Sequence, residues 1–191
     1  MESFMTDNDL KTSYLIEKSI TINAPLSKVW QVLSDFNDVY TWAPTVTHSN
    51  GLDEKNNEIG AGRHCKIEGF GAIDEIITQW QENKGFTYSI SDLGPLTKGI
   101  SRWTLIELAE NKTTIKVEFG YELRFSLVGK LLHKLVMRGK LEAGLPDTLK
   151  ALKVRVESGK LVRPLLTEES TIKDTKISTT TKAKNLATSS S

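Results

Sequence analysis

The sequence predicts an α+β domain: a seven-stranded antiparallel sheet, two short helices after the first strand, and a long C-terminal helix covering the sheet. Three observations predict it. Segments rich in strand-forming residues, several alternating apolar and polar side chains at period two, recur along the body. Most are joined by short runs rich in Gly, Asn, Asp and Lys, and strands on short turns form an antiparallel meander. One long apolar stripe at helical spacing closes the body, and no other element is long enough to cover a sheet face.

The first strand sets Tyr14, Ile16, Ile20 and Ile22 against Glu17, Ser19 and Thr21. Pro25 follows and suits a first helical position, where its missing N–H would be unbonded anyway. Val29, Val32, Leu33 and Phe36 then fall at i, i+3, i+4 and i+7, one face of a helix. Asp35 to Asp38 separates it from a shorter helix, which stops near Trp42 because Pro44 disfavours helical backbone at Ala43. Thr45–His48 is the second strand, ended by Asn50-Gly51 and a polar loop. Gly60-Ala61-Gly62 leads into Arg63–Ile67, and Gly69 and Gly71 around Phe70 predict a bend or bulge before the strand Ala72–Gln81. The turn Asn83-Lys84-Gly85 precedes the alternating Phe86, Tyr88 and Ile90. A loop at Gly94-Pro95 precedes the strand Ile100–Leu108. The last strand sets Ile115, Val117, Phe119, Tyr121, Leu123 and Phe125 against Lys116, Glu118, Glu122 and Arg124, so one sheet face is dry and the other wet. The closing stripe runs through Val128, Leu131, Leu132, Leu135 and Val136, then Leu141, Leu145, Leu149, Leu152 and Val156. Gly144 and Pro146 are expected to kink that helix or divide it.

Composition bounds the function. The 191 residues carry 25 Lys+Arg against 24 Asp+Glu, a net charge of +1 that gives no field to gather nucleic acid. Residues 1–11 are expected to be a flexible N-terminus and 12–162 the folded domain. Residues 163–191 hold 12 Ser/Thr among 29, too little apolar surface to offset chain entropy, and read as a disordered tail. No apolar run exceeds three residues, so none spans a bilayer, and the N-terminus lacks a signal peptide's basic start and apolar stretch. A cytoplasmic location is the expectation. A single cysteine, Cys65, excludes an internal disulfide and a multi-cysteine metal site, and three scattered histidines suggest no metal. No cofactor is expected. Between 128 and 158 seven basic residues face three acidic ones, a charge balance suited to peripheral contact with an anionic membrane. The oligomeric state is not legible.

Some of these segments carry a resemblance. Ile20-Thr21-Ile22-Asn23-Ala24-Pro25, then Val29-Trp30-Gln31-Val32-Leu33-Ser34-Asp35-Phe36, then Tyr40, Trp42 and Pro44, resembles the start of the polyketide cyclase/dehydrase-like members of the START/Bet v 1-like (SRPBCC) superfamily. Gly60-Ala61-Gly62, Gln79-Trp80, Phe86–Ile90 and Trp103-Thr104-Leu105 are similar to its later parts, and the likeness covers residues 13–158. It implies a helix-grip fold, with a curved sheet wrapped around the closing helix and an internal cavity between them. It also implies an apolar ligand: a lipid, a polyketide, or another aromatic or isoprenoid molecule. The superfamily shares no catalytic set, so no catalytic residue is carried over.

The residues expected to line such a cavity are Trp42, His48, His64, Tyr88, Trp103, Phe119, Tyr121 and Leu135. The aromatics combine large apolar area with, in Tyr and Trp, one polar handle. An imidazole facing a dry space could orient a carbonyl or move a proton. An alternative function is therefore a cyclase- or dehydratase-type enzyme, which needs His48, His64, Asp74 or a tyrosine such as Tyr121 turned inward. A further alternative is membrane-associated handling of a lipid or quinone. Asp74 and Glu75 point to opposite faces; the face of Ile73 and Ile77 is the expected inner one, which leaves Asp74 wet. Arg102 is expected to be a surface cation if Trp103 points inward, and Cys65 to be inert packing.

Overall fold

A computed structural model describes residues 10–92, 96–124 and 138–162. The first strand, β1 (Tyr14–Ile22), is followed by helix α1 (Leu26–Ser34) and a 3-10 helix (Phe36–Thr41). Six strands come next: β2 (Val46–Gly51), β3 (Gly62–Ile67), β4 (Gly71–Gln81), β5 (Gly85–Ile90), β6 (Leu96–Ala109) and β7 (Lys112–Leu123). Helix α2 (Arg138–Ser158) closes the fold. The seven strands form one sheet in the order β1-β7-β6-β5-β4-β3-β2, and every neighbouring pair is antiparallel. The expected α+β architecture is present. The expected tail at 163–191, Phe125 and the helical stripe from Val128 to Val136 lie outside the described residues.

Several boundaries differ from the sequence reading. Pro25 caps α1 instead of opening it, with φ −59° and ψ 149°, and its carbonyl accepts from the N–H of Lys28 and Val29. Strand β2 runs through Asn50-Gly51, because these two residues pair with His64 and Arg63. Strand β6 starts at Leu96, which pairs with Leu123 of β7. Gly69 and Gly71 belong to a hairpin turn in which Ile67 pairs with Gly71; the irregularity in β4 comes later, between Ile77 and Gln79. That shift of register puts both Ile77 and Trp80 on the inner face, although three positions apart on a strand would otherwise oppose them. Pro146 lies within α2 without dividing it.

Cross-strand register aligns the inner face in rows. One row reads Ile16, Phe119, Ser101, Tyr88, Ile77, and a second reads Val117, Trp103, Phe86, Trp80. Onto the second row α1 lowers Trp30, 4.8 Å from the Trp80 ring, and the 3-10 helix lowers Phe36, 5.9 Å from the Phe86 ring. Helix α2 packs along β1 and buries Leu149, Leu152 and Val156. Lys153 donates to the Thr21 carbonyl at 2.7 Å, and Glu157 accepts from the Asn23 N–H at 2.7 Å. These bonds hold the C-terminal half of α2 to the end of β1. The other end of the helix faces the sheet across an open space.

The outer face carries a correction. Arg102 does point away from the cavity, opposite to Trp103, yet it is only 4% exposed. Arg102 is on an interior strand, and an ion pair with Glu118 at 3.8 Å accompanies that burial; Glu118 in turn bonds Lys116 at 3.2 Å.

Candidate functional site

The open space is a cavity of about 210 Å³. Its sheet wall is Tyr88, Ile90, Ser101, Trp103 and Phe119; β3 and β4 add Cys65, Ile67 and Ile73. Val39, Trp42, Ala43 and Val46 close one side, and Leu141, Gly144, Leu145 and Thr148 of α2 form the roof. The wall is predominantly apolar. A dry apolar cavity of ~150 Å³ already accepts benzene, so this space is large enough for a small ring system.

Its polar corner is built on paired strands. Arg63 of β3 and Glu75 of β4 are direct cross-strand partners on the inner face, and their side chains are 8% and 7% exposed. Arg63 Nε donates to Glu75 Oε2, and Nη1 donates to the Phe36 carbonyl. The guanidinium carbon lies over the Phe36 ring, 3.8 Å from its centroid. Burial pulls the Arg63 pKa down, but Glu75, together with Cys65 and Tyr88, outweighs it and holds the group above its ordinary value. Cys65 donates towards Ser49 Oγ at 3.5 Å and Glu75 Oε2 at 3.7 Å, and burial pushes its thiol up to about 11. The Tyr88 phenol is also raised, first by burial and then by the charge of Glu75. Trp103 Nε1 donates to Ser101 Oγ at 3.1 Å. The corner therefore offers a fixed cation, a fixed carboxylate and neutral hydroxyl and thiol groups. It contains no imidazole.

Of the eight residues expected at the cavity, Trp42, Tyr88, Trp103 and Phe119 line it. His48 and His64 do not. Ser49, Cys65 and Ile73 share the inner face, so the alternation puts His48, His64 and Asp74 on the outer one. There His64 Nδ1 meets Asp74 Oδ1 at 2.6 Å, with side chains 35% and 48% exposed. Tyr121 is on the inner face but contributes nothing to the wall. It is fully buried, stacked 5.2 Å from Tyr14 and 5.4 Å from Phe119. Leu135 lies outside the described residues; Leu141 and Leu145 hold the roof in the described part of α2. Of the groups that a cyclase-type proton shuttle was expected to use, His48, His64 and Asp74 face outward and Tyr121 is buried away from the wall, while another tyrosine, Tyr88, lines the cavity. Cys65, expected to be packing, is on the wall.

Sequence reasoning missed the Arg63–Glu75 pair. The one available signal was strand parity: with Ile73 and Ile77 inward, Glu75 must point inward too, and an inward carboxylate requires a cation nearby. Among the described residues no three His, Cys, Asp or Glu side chains gather as a metal site, and no helix is long and apolar enough to cross a membrane. On the basic helix Lys150 pairs with Asp147, Lys153 pairs with Glu157, and Arg155 donates to the Gly159 carbonyl.

Comparison with known proteins agrees with this geometry. A START superfamily protein from Mycobacterium smegmatis superimposes with a TM-score of 0.61 at 20% identity, over 76% of this chain and 99% of its own. A protein from Thermus thermophilus gives 0.62 at 17% identity, over 76% and 99%. The ZhuI aromatase/cyclase from Streptomyces sp. R1128 gives 0.59 at 16% identity, over 76% and 97%. At such identities these likenesses establish the fold alone. No curated protein matches the sequence. The sequence profile described as "Polyketide cyclase / dehydrase and lipid transport" matches residues 15–157, from β1 to the last turn of α2. With its sheet, grip helix and cavity all inside that match, the chain belongs to the polyketide cyclase/dehydrase and lipid transport family, and its helix-grip fold is similar to that of the START superfamily protein.

Proposed function

We propose that this protein binds an apolar small molecule in the cavity between its sheet and α2, with one polar group of the ligand docked at Arg63 and Glu75. The observation that carries the reading is that buried ion pair on the wall of an otherwise apolar cavity. Two desolvated charges are costly to keep, and packed apolar residues in their place are often neutral or stabilising, so a ligand contact is a reason for their presence. Trp42, Tyr88, Trp103 and Phe119 supply flat apolar area for rings or isoprenoid chains. The polar corner holds two charged groups already bonded to each other, which suits positioning a ligand better than moving a proton.

The test has two arms. Organic extracts of the purified protein are analysed by mass spectrometry for a co-purifying apolar compound. The protein is also titrated with naphthalene and with the neutral fluorophore N-phenyl-1-naphthylamine. Saturable binding with a rise in melting temperature is expected. An empty extract together with no binding and no thermal shift would defeat the proposal.

A further inference from the structure

We infer that the cavity selects an uncharged ligand bearing a hydroxyl group and rejects a carboxylate of the same shape. This rests on the ligand-binding reading and adds a chemical class to it. The charged side chains on the described wall are one cation, Arg63, and two carboxylates, Glu75 and Asp35. Arg63 is therefore balanced by Glu75 before any ligand arrives, and the described wall offers no uncompensated positive charge. An anionic head group entering this dry space would meet Glu75 at the same moment as Arg63, and like charges at low dielectric repel strongly.

The hydrogen-bonding pattern points the same way. On Arg63, Nε and Nη1 are committed to Glu75 and the Phe36 carbonyl, and Nη2 has no partner among the described residues. On Glu75, Oε2 accepts from Arg63 and Cys65, and Oε1 has no partner among them. The corner thus offers spare N–H groups, one on Nη1 and two on Nη2, beside one spare acceptor atom, Oε1. A hydroxyl uses both kinds, accepting from Nη2 and donating to Oε1. A carboxylate can only accept and leaves Oε1 facing another anion. An ammonium can only donate and faces Arg63. Leaving a buried polar atom unsatisfied costs more than the matching bond contributes, so the discrimination is steep.

The experiment uses one ring system, bare and with three substituents, at pH 7.5: naphthalene, 2-naphthalenemethanol, 2-naphthoate and 2-naphthylmethylammonium. Affinities are read by displacement of N-phenyl-1-naphthylamine from the full-length protein. The alcohol is expected to bind at least tenfold more tightly than either ion, and no more weakly than naphthalene. Glu75→Gln, with its fold checked by circular dichroism, leaves Arg63 uncompensated, so 2-naphthoate should gain at least tenfold on the alcohol. If naphthalene binds and either ion lies within tenfold of the alcohol, the inference is overturned and the ligand-binding reading stands. A folded Glu75→Gln protein with no gain for the carboxylate also overturns it. If naphthalene does not bind, the ligand-binding reading itself fails and takes this inference with it.

Discussion

At Cys65 a buried thiol sits on the cavity wall beside a carboxylate, and both features oppose ionisation. Burial comes first in pushing its pKa from 9.0 up to about 11, and Glu75 adds to it against the pull of Arg63. The thiolate is the nucleophile, so Cys65 should react with iodoacetamide at pH 8 at least 100-fold more slowly than a free thiol of pKa about 8.5. Bound N-phenyl-1-naphthylamine should slow it further; an alkylation rate unchanged by ligand would remove Cys65 from the wall. The same shift sets a pH dependence. Above pH 9.0 the unfolded chain loses this proton while the folded one keeps it until about 11. Stability present at neutral pH should therefore fall across that window by up to roughly 1.4 kcal/mol per pH unit. Cys65→Ala should flatten that part of the profile in chemical denaturation. At Arg63 the expected loss is larger. Arg63→Met strands Glu75 in a dry site and should cost about 3–5 kcal/mol, whereas Arg63→Met with Glu75→Met should recover most of it. At this scale the sequence was a poor guide. Residue type and strand parity say which face a side chain takes, but His48 and His64 needed a parity that only the pairing of β2, β3 and β4 fixes. Arg63 could not be matched to Glu75 without the register that makes them neighbours.

Whole elements were far more legible, because periodicity is a property of many residues at once. The alternation in β7 and the stripe at Val29, Leu33 and Phe36 survive any one exception. Ends are less legible: β2 and β6 run past residues that favour turns because a neighbouring strand supplies partners there. Two glycines show the difference between backbone demand and local composition. Gly85 opens β5 at φ +139°, and a Cβ there would lie 1.9 Å from the Trp103 carbonyl. Gly85→Ala should therefore force β5 from β6 and lower stability by about 2–4 kcal/mol. Gly144 in α2 has nothing within 4 Å of where its Cβ would be. Gly144→Ala should raise stability by about 0.5–1 kcal/mol through helix propensity alone. Thermal unfolding of the two variants should move in opposite directions, and a loss of stability in Gly144→Ala would mean that the roof of the cavity cannot accept a methyl group.

The cavity belongs to the molecule as a whole. Its volume is the gap left when β3 to β7, the 3-10 segment and α2 each satisfy their own packing, and no local pattern encodes such a gap; the order of elements, a curved sheet around one helix, and the fold resemblance suggested it. An unfilled apolar space costs stability in proportion to its volume, ~24 cal/mol per Å³ in cavity-creating mutants. A protein that keeps one gives up stability that better packing would supply, and binding function is the usual reason. Ala43 tests that trade. It is 1% exposed, follows the 3-10 helix and lines the cavity, so a larger side chain there enters the space. Ala43→Phe should lower affinity for N-phenyl-1-naphthylamine more than tenfold and leave the melting temperature unchanged or higher. The same substitution in a filled core would overpack it and cost about 1–3 kcal/mol. Stability and binding must therefore move apart in Ala43→Phe if the gap is kept for a ligand; if both fall together, the space is too small or too rigid to serve as a site.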